Sequence, residues 1–444
     1  MKSDLDRLMA ERHYAALLVS GGADHNPPMY YLANGAKVGE ATLLVKKRGE
    51  EPVLFVSGME RDEAAKSGLR VVDLARYKFP ELAQAENGSL LRAVARLYGM
   101  VLKEAGVAEG NVIAFGNRDQ GAALQLLTAI SELNPGVNMV GEFGESIFSL
   151  AAATKDAEEI KRIRAVGKKT MNIVAGTQEF LTSHKARNGY LVRQDGSRLT
   201  VGDVKRRIRE LHMQENVVDT EVIFAIGRDA GVPHSRGEDR DPIALGQTIV
   251  YDIFPQEAGG GYFFDFTRTW CLGYAPPEVE QAYEDVLGAF KMVTKALRPG
   301  GLCRNYQKLA CDFFEQRGHP TIQMNYETTS GYVHSLGHGL GLQVHESPST
   351  RDVEGNADRL DPGVVITVEP GLYYPEKGFG VRLEDSVWLN PQTLKFETLA
   401  SYPKDLVLKV REVKDGSKSQ ILTDPRSGAK GTRPKSQTKK TRRK

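Results

Sequence analysis

The sequence predicts an α/β unit followed by a larger α+β unit. At 444 residues, with 41% hydrophobic and 26% charged residues, the chain is long enough for two or three domains with buried cores. In the first third of the chain, short apolar runs alternate with helical stretches, which is the pattern of an α/β domain. Further along, strand-like runs follow one another without regular intervening helices, which favours an antiparallel, curved sheet.

The first predicted domain spans residues 1–152. A helix is predicted over 88–106, where apolar residues recur every three or four positions and a glycine ends the pattern. Four short runs rich in valine, leucine and alanine are each bounded by glycine, proline or charge, as buried strands are. These runs are AALLVSG (15–21), ATLLVKK (41–47), PVLFVSG (52–58) and NVIAFG (111–116).

The second predicted domain spans residues 153–412 and opens on a helix over 153–176. Asp156 followed three residues later by Glu159 is an N-cap signature for that helix. A further helix is predicted over 276–301, with proline at its start and Pro-Gly just past its end. Strands are predicted over 221–227, 248–255, 262–273, 364–375 and 380–389.

Charge is distributed unevenly along the chain. Residues 426–444 contain nine lysines and arginines and no acid, so a chain of net charge +2 has a body of charge −7. A nucleic-acid-binding domain would instead cluster positive charge on a folded face, so no nucleic-acid partner is expected for the body. Residues 413–444 are predicted to be a basic, disordered tail that touches phosphates weakly at most.

Membrane insertion and export are not expected. No run approaches the eighteen or so apolar residues of a membrane span, and the N-terminal sequence lacks the apolar segment of a signal peptide. The three cysteines, Cys271, Cys303 and Cys311, form neither a CxxC pair nor an even framework. A reducing, cytoplasmic location with no membrane partner is therefore the expectation.

Four acids occupy strand-like positions that normally hold apolar side chains. Asp252 lies in IVYDIF, Asp265 in YFFDFT, Glu369 in ITVEPG and Glu384 in VRLEDS. An unpaired buried carboxylate is costly, so such groups persist when they are paired, protonated or bound to a cation. Four of them, each within an apolar run, indicate a common counter-charge.

Three of the nine histidines, His334, His338 and His345, lie in the stretch VHSLGHGLGLQVHESP. One imidazole with four carboxylates is a hard, mostly oxygen donor set for two divalent ions. It favours Mn²⁺, with Co²⁺, Fe²⁺ or Zn²⁺ as alternatives. Two such ions can share a hydroxide and polarise a carbonyl, as in two-metal hydrolases. An HExxH motif is absent from the sequence, which excludes the single-zinc protease helix.

The spacing of the two aspartates supports a shared site. If YDIFPQEAGGGYFFDF is a hairpin, Gly259–Gly261 lies in its turn region and Asp252 and Asp265 lie on neighbouring strands. The alternative is an ordinary hairpin with one exposed face. Phe264 and Phe266 beside the acids argue against a plain polar face.

Over roughly residues 5–410 the chain resembles the pita-bread metallopeptidases that cleave Xaa-Pro bonds, namely aminopeptidase P, prolidase and the creatinase-like superfamily. HSLGHGLGLQVHE is similar to the prolidase signature throughout its length. The resemblance implies a C-terminal pita-bread domain preceded by a smaller creatinase-type N-terminal α/β domain. It also implies an ordered set of metal ligands, which here would be Asp252, Asp265, His338, Glu369 and Glu384.

The resemblance further implies roles for residues around the ligands. His234, in VPHSRG, and His345 would orient substrate and stabilise the tetrahedral intermediate. His334 and Arg382 match positions associated with the proline-specific branch and would bind substrate. Glu369 would be both a ligand and the proton shuttle.

The activity implied is hydrolysis of the Xaa-Pro bond of dipeptides or peptide N-termini through a metal-bridged hydroxide, by a homodimer. Two alternatives stay open: a related metallohydrolase with a non-prolyl substrate, and an inactive pita-bread module that binds peptide or nucleic acid. The aspartates are thirteen residues apart, which is two more than is common in the family. An even insertion keeps both side chains on the same face of a strand, so the ligand set can survive.

Overall fold

The computed structural model describes residues 1–218, 221–413 and 420–421. The predicted basic tail, 413–444, therefore lies almost entirely outside the described residues. Within the described residues, no helix combines the length and the apolar character that crossing a membrane requires.

The N-terminal part is built on one mixed six-stranded sheet in the order β4-β3-β2-β1-β5-β6. Strand β2 pairs antiparallel with both β1 and β3, whereas β1–β5, β3–β4 and β5–β6 are parallel. The strands are β1 Tyr14–Ser20, β2 Leu43–Lys47, β3 Val53–Val56, β4 Arg70–Asp73, β5 Gly110–Gly116 and β6 Val137–Val140. All four predicted strands are confirmed, and β4 and β6 are additions.

Helices cover both faces of this sheet, which is why the central strand β1 buries apolar side chains on both faces. In β1, Leu17 and Val19 pack into one hydrophobic cluster while Ala16 and Leu18 pack into another on the opposite face. The helices are α1 Leu5–Glu11, α2 Pro27–Leu32, α3 Arg61–Ala65, α4 Phe79–Ala85, α5 Leu90–Glu104, α6 Gln120–Leu133 and α7 Ile147–Ala153. The predicted helix over 88–106 is α5.

Four long helices belong to the second part of the chain. The predicted N-cap is confirmed, because the Asp156 carboxylate accepts from the Glu159 backbone N–H and the Glu159 carboxylate accepts from the Asp156 backbone N–H. The helices are α8 Ala157–Ser183, α9 Val201–Glu215, α10 Pro277–Ala296 and α11 Cys303–Glu315. The division of the chain at residues 152 and 412 stays a prediction.

Two sheets form the centre of the second part, in the orders β10-β11-β13-β21 and β15-β14-β16-β19-β20. Apart from the parallel pair β13–β21, their neighbours are antiparallel, which confirms the predicted α+β class. Their strands are β10 Ile223–Ile226, β11 Thr248–Ile253, β13 Phe266–Leu272, β14 His338–Gly339, β15 Glu346–Ser349, β16 Val365–Val368, β19 Asp385–Leu389, β20 Phe396–Thr398 and β21 Val407–Leu408.

Smaller ladders complete this part. They pair β9 with β12, β17 with β18, and β23, β22, β7 and β8 in that order. Their bounds are β7 Lys185–Arg187, β8 Tyr190–Val192, β9 Val217–Val218, β12 Gln256–Glu257, β17 Gly371–Tyr374, β18 Phe379–Arg382, β22 Arg411–Glu412 and β23 Gln420–Ile421.

Two predicted strands are each interrupted, and the interruptions fall at two of the predicted site acids. The run 364–375 divides into β16 and β17 at Glu369, where the following Pro370 has no N–H for a ladder. The run 380–389 divides into β18 and β19 beside Glu384, whose N–H is donated to the Thr267 carbonyl of the other sheet. This contact links the two sheets.

Candidate metal centre

The predicted ligands converge at the junction of the two central sheets. Asp252 lies within β11 and Asp265 immediately precedes β13, and the two strands pair antiparallel with Asp252 opposite Thr267. The predicted neighbouring-strand arrangement of the aspartates is therefore present. His338 opens β14, and Glu369 and Glu384 sit at the two strand interruptions. Each element thus delivers one side chain to the same place.

Glycines in the histidine motif allow the close approach of neighbouring backbone. A Cβ on Gly337 would lie 2.1 Å from the Thr367 carbonyl oxygen, and one on Gly339 would lie 2.1 Å from the Ser347 carbonyl oxygen. Neither position can hold a side chain without moving a strand. The glycines on both sides of His338 therefore let that histidine sit between two strands.

His338 is oriented with one ring nitrogen towards the acids. Its Nδ1 lies 3.0 Å from the Gly339 carbonyl oxygen, to which it can donate its proton. Nε2 lies 3.2 Å from Oε1 of Glu369 and 3.7 Å from Oδ2 of Asp265. One ligand atom each from Asp265, His338 and Glu384 lies within 4.8 Å of the others, which is a compact donor set for a cation.

Three carboxylate oxygens in the cluster lack a hydrogen-bond partner among the described residues. They are Oδ1 of Asp252, Oδ1 of Asp265 and Oε1 of Glu384, and all three are buried. Buried polar atoms are almost always satisfied in folded proteins, so three such atoms together need an explanation. Carboxylate oxygens beside an imidazole nitrogen suit hard divalent cations, so these residues fit a metal centre.

The protonation equilibria of the cluster point the same way. Burial raises the pKa of Asp265 and of Glu384 well above their ordinary values, and neighbouring carboxylates raise both further. Burial also raises the pKa of Asp252, although Arg382 opposes the rise. Burial acts to raise the pKa of Glu369 too, but its hydrogen bond to His338 and the charge of that ring outweigh it and hold the pKa at about 2. The four carboxylates together are therefore short of positive charge, even with His338 and Arg382 beside them.

Arg268 stabilises the backbone around Glu384, and the sequence analysis did not identify this residue. Its guanidinium donates to the backbone carbonyl oxygens of Thr267 and Glu384, at 2.9 and 2.8 Å. It also forms an ion pair with Asp385 at 2.8 Å, and only 1% of Arg268 is exposed. The Thr267 hydroxyl donates to Oε2 of Glu384 at 2.8 Å. The segments DFTRT and RLEDS each carry a further charged residue near a predicted ligand, and this pattern could have indicated the role of Arg268.

A cavity of about 1230 Å³ opens onto this cluster. The predicted substrate-side residues all line it, together with two of the ligands; the set is His234, His334, His338, His345, Glu369 and Arg382. The rings of His338 and His345 are 4.3 Å apart between centroids. Every residue predicted to be catalytic or substrate-binding therefore faces one cavity.

Tyr373 links the two predicted proline-side residues and was not singled out from the sequence. Its hydroxyl lies 2.9 Å from Nε2 of His334 and accepts from Nη1 of Arg382 at 2.9 Å. Burial raises its pKa to about 12, so the hydroxyl is neutral near pH 7. Arg382 itself forms a buried ion pair with Asp252, at 2.5 Å. Recognition and ligand residues thus share one network.

A buried lysine holds the segment that follows His345. Nζ of Lys155 lies 2.9 Å from Oε2 of Glu346, with 1% and 4% of the two side chains exposed. Oε1 of Glu346 accepts from the Gln343 backbone N–H at 2.9 Å, which closes the turn around His345. Lys155 lies between α7 and α8, so this ion pair fastens the histidine loop to the start of the second part.

Comparison with known proteins agrees with this geometry. The sequence profile of metallopeptidase family M24 matches residues 161–391. A Mycobacterium tuberculosis protein named Probable dipeptidase PepE is 28% identical over 339 residues, covering 76% of each chain. The Xaa-Pro dipeptidase of Pyrococcus furiosus is 32% identical over 175 residues, which are 39% of this chain and 46% of that one.

Solved structures share the fold over most of the chain. The prolidase of Pyrococcus horikoshii superposes with a TM-score of 0.68 at 22% identity, covering 91% of this chain and 99% of that chain. The X-Pro aminopeptidase of Thermotoga maritima also gives 0.68, at 20% identity, covering 92% and 99%. The expected pita-bread fold is confirmed, and because the family profile matches more than half of its residues, the chain belongs to metallopeptidase family M24.

Proposed function

We propose that this metallopeptidase hydrolyses the Xaa-Pro bond of dipeptides or of peptide N-termini. The observation that carries the proposal is the cluster of buried carboxylate oxygens beside His338 that have no hydrogen-bond partner among the described residues. His338 itself lines a cavity together with three further histidines. The printed names of two relatives, an Xaa-Pro dipeptidase and an X-Pro aminopeptidase, support proline as the second residue of the substrate.

Two divalent cations, Mn²⁺ by preference, are the cofactors of the proposal, with Asp252, Asp265, His338, Glu369 and Glu384 holding them. When bound, they would polarise a peptide carbonyl and lower the pKa of water. The preference for manganese rests on the donor set, which is four carboxylates and a single imidazole. Co²⁺, Fe²⁺ and Zn²⁺ stay alternatives.

Glu369 is the proposed proton shuttle. Its carboxylate lines the cavity as well as contacting His338, so it can meet both a water molecule and a substrate. It would accept a proton from the attacking water and return it to the imide nitrogen of proline. Proline's nitrogen is a poor leaving group unless it is protonated, so the transfer is needed for turnover.

The remaining cavity residues would bind the substrate and stabilise the tetrahedral intermediate. His234 and His345 would donate hydrogen bonds to the carbonyl oxygen as it gains negative charge in the tetrahedral intermediate. His334 and Arg382 would contact the proline side of the substrate, and Tyr373 would hold the two at a fixed separation.

A peptide panel tests this function. Protein stripped with a chelator and resupplied with single metals would be assayed on Ala-Pro, Ala-Pro-Ala and Ala-Ala. We expect no activity after chelation, best recovery with Mn²⁺, and at least about a hundredfold preference for the prolyl peptides, the scale of differential binding energies near 3 kcal/mol. Preferred cleavage of Ala-Ala would instead establish a non-prolyl metallohydrolase. A folded, metal-loaded protein inactive on all three would favour a binding module.

We also propose that the enzyme is a homodimer and acts in the cytoplasm. The location is supported by the three cysteines, which are all buried and unpaired. Light scattering of the purified protein would measure its mass in solution, and fractionation of the source cells would test the location.

A further inference from the structure

We propose that Gln307 is a positioning residue for His334, and the proposal rests on the peptidase function proposed above. Gln307 lies on α11, on the face that packs into the protein with Cys303, Tyr306, Ala310 and Phe314. It is 1% exposed, and it is the one long polar side chain on that face. A polar residue retained at an apolar helix position is expected to have a specific set of partners.

The hydrogen bonds of Gln307 go mainly to the segment that carries His334. Its Nε2 donates to the His334 carbonyl oxygen at 3.2 Å, and its Oε1 accepts from the Leu336 backbone N–H at 2.5 Å and from the Tyr332 hydroxyl at 3.2 Å. The remaining contact is from Nε2 to Sγ of Cys311, one helical turn away, at 3.6 Å. A single side chain thus forms hydrogen bonds with three residues of the segment 332–336.

The segment 332–336 is held by hydrogen bonds on two sides, and Gln307 supplies one of them. On its other side the segment is held by the Glu369 backbone N–H, which donates to the Leu336 carbonyl oxygen at 2.8 Å. Between these anchors, the His334 ring has its Nδ1 2.7 Å from the Ser335 carbonyl oxygen and its Nε2 2.9 Å from the Tyr373 hydroxyl. Because the ring takes its direction from the segment's own backbone, moving the segment turns the ring.

Removing the Gln307 amide would remove the hydrogen bonds on one side of the segment. The Leu336 N–H would then be buried without an acceptor, and the His334 carbonyl would lose its donor. The segment would shift to satisfy them, and a displacement of about 1 Å can cost on the order of 100-fold in rate. Gln307 also lines the cavity, but both polar atoms of its amide are bonded to the segment 332–336 or to Cys311, which is why its role is positioning.

The variant Gln307→Met tests this, because methionine keeps the length and removes both polar atoms. The matched control is Gln178→Met on α8, where the amide oxygen accepts one hydrogen bond from the Tyr402 hydroxyl, at 2.6 Å. We expect Gln307→Met to lose about tenfold or more in kcat/KM on Ala-Pro with unchanged metal content, and the control to stay within about twofold. In a His334→Ala background the same substitution should cost less than about threefold, because coupled residues are not additive.

Hydrogen exchange gives a readout that does not depend on activity. The Leu336 amide should exchange faster in Gln307→Met than in wild type, and should be unchanged in the control. If Gln307→Met does not fold, Gln307→Glu takes its place. Glutamate keeps both accepted hydrogen bonds, so we expect a loss in kcat/KM between that of the control and that of Gln307→Met.

The proposal is overturned if Gln307→Met matches the control in kinetics and exchange, or if its cost is the same with and without His334. A wild-type protein that cleaves no prolyl peptide would reject the proposed function. Exchange at Leu336 would still decide whether Gln307 holds the segment.

Discussion

The guanidinium of Arg382 lies 2.5 Å from Oδ2 of Asp252, so a residue predicted to recognise substrate is bound to a residue predicted to hold metal. Only 3% of Arg382 is exposed, and its other nitrogens donate to the Pro233 carbonyl oxygen and to the hydroxyls of Tyr373 and Thr267. The network couples the geometry of the ligands to the geometry of the cavity wall.

The first prediction concerns this ion pair. Arg382→Met leaves the Asp252 carboxylate buried without its cation, so the free energy of unfolding should fall by about 3–5 kcal/mol. Urea denaturation of the metal-free protein measures the loss. Arg206→Met is the matched control, since its ion pair with Asp203 is 60% exposed on the arginine side and should be worth about 1 kcal/mol or less. Equal losses in the two variants would contradict the prediction.

The second prediction separates the proton-shuttle role of Glu369 from its role as a ligand. Glu369→Gln keeps the size of the side chain and one oxygen donor but removes the base. We expect most of the metal to be retained and kcat to fall about a hundredfold or more, the scale of general acid–base catalysis. Steady-state kinetics with metal analysis decides, and Glu376→Gln on the exposed turn after β17 serves as control. Near-normal kcat with full metal would remove Glu369 from the shuttle role.

The third prediction is that Glu384→Ala weakens metal binding, whereas Glu384→Gln stabilises the metal-free protein at neutral pH. Burial, then Asp265, raises the pKa of Glu384 above its unfolded value. The folded state therefore binds the proton more tightly, and stability falls as pH rises from the unfolded pKa towards the folded one. Glutamine cannot ionise, so it removes this loss of stability. The loss is about 1.4 kcal/mol for each unit by which the folded and unfolded pKa values differ.

Two measurements check this third prediction. Metal content should drop in Glu384→Ala, which removes both oxygen donors. Thermal unfolding of chelated Glu384→Gln should give a higher Tm than wild type at pH 7, with the difference shrinking towards pH 4. A Glu384→Ala variant that keeps the wild-type complement of metal ions would show that Glu384 is not a ligand.

The fourth prediction concerns the buried pair Lys155–Glu346. Lys155→Met leaves Glu346 buried without a counter-charge beside His345, and should lower the free energy of unfolding by about 3–5 kcal/mol. Lys161→Met is the control, because its pair with Glu158 has 76% and 79% of the two side chains exposed. We also expect KM for Ala-Pro to rise in Lys155→Met, since the turn carrying His345 is no longer fastened. An unchanged KM would separate the ion pair from substrate binding.

The sequence by itself determined the fold classes of the two parts and singled out the acids that the fold brings together. Strands such as β1 and β11 are short apolar runs, so local composition was enough to find them. The capping pair Asp156 and Glu159 likewise needs only neighbours along the chain. Acids within apolar runs stand out because burying an unpaired carboxylate is costly, and that cost can be read without coordinates.

Tertiary structure alone decided how the site is held together. The strand break beside Glu384 depends on a contact between two sheets, which local pattern does not report. Arg268, Tyr373 and Gln307 act through partners far away in sequence, for example 116 residues between Arg268 and the Glu384 carbonyl oxygen. Hydrogen bonds of this kind are set by which backbone atoms the fold brings within about 3 Å, and only the packed chain fixes that distance.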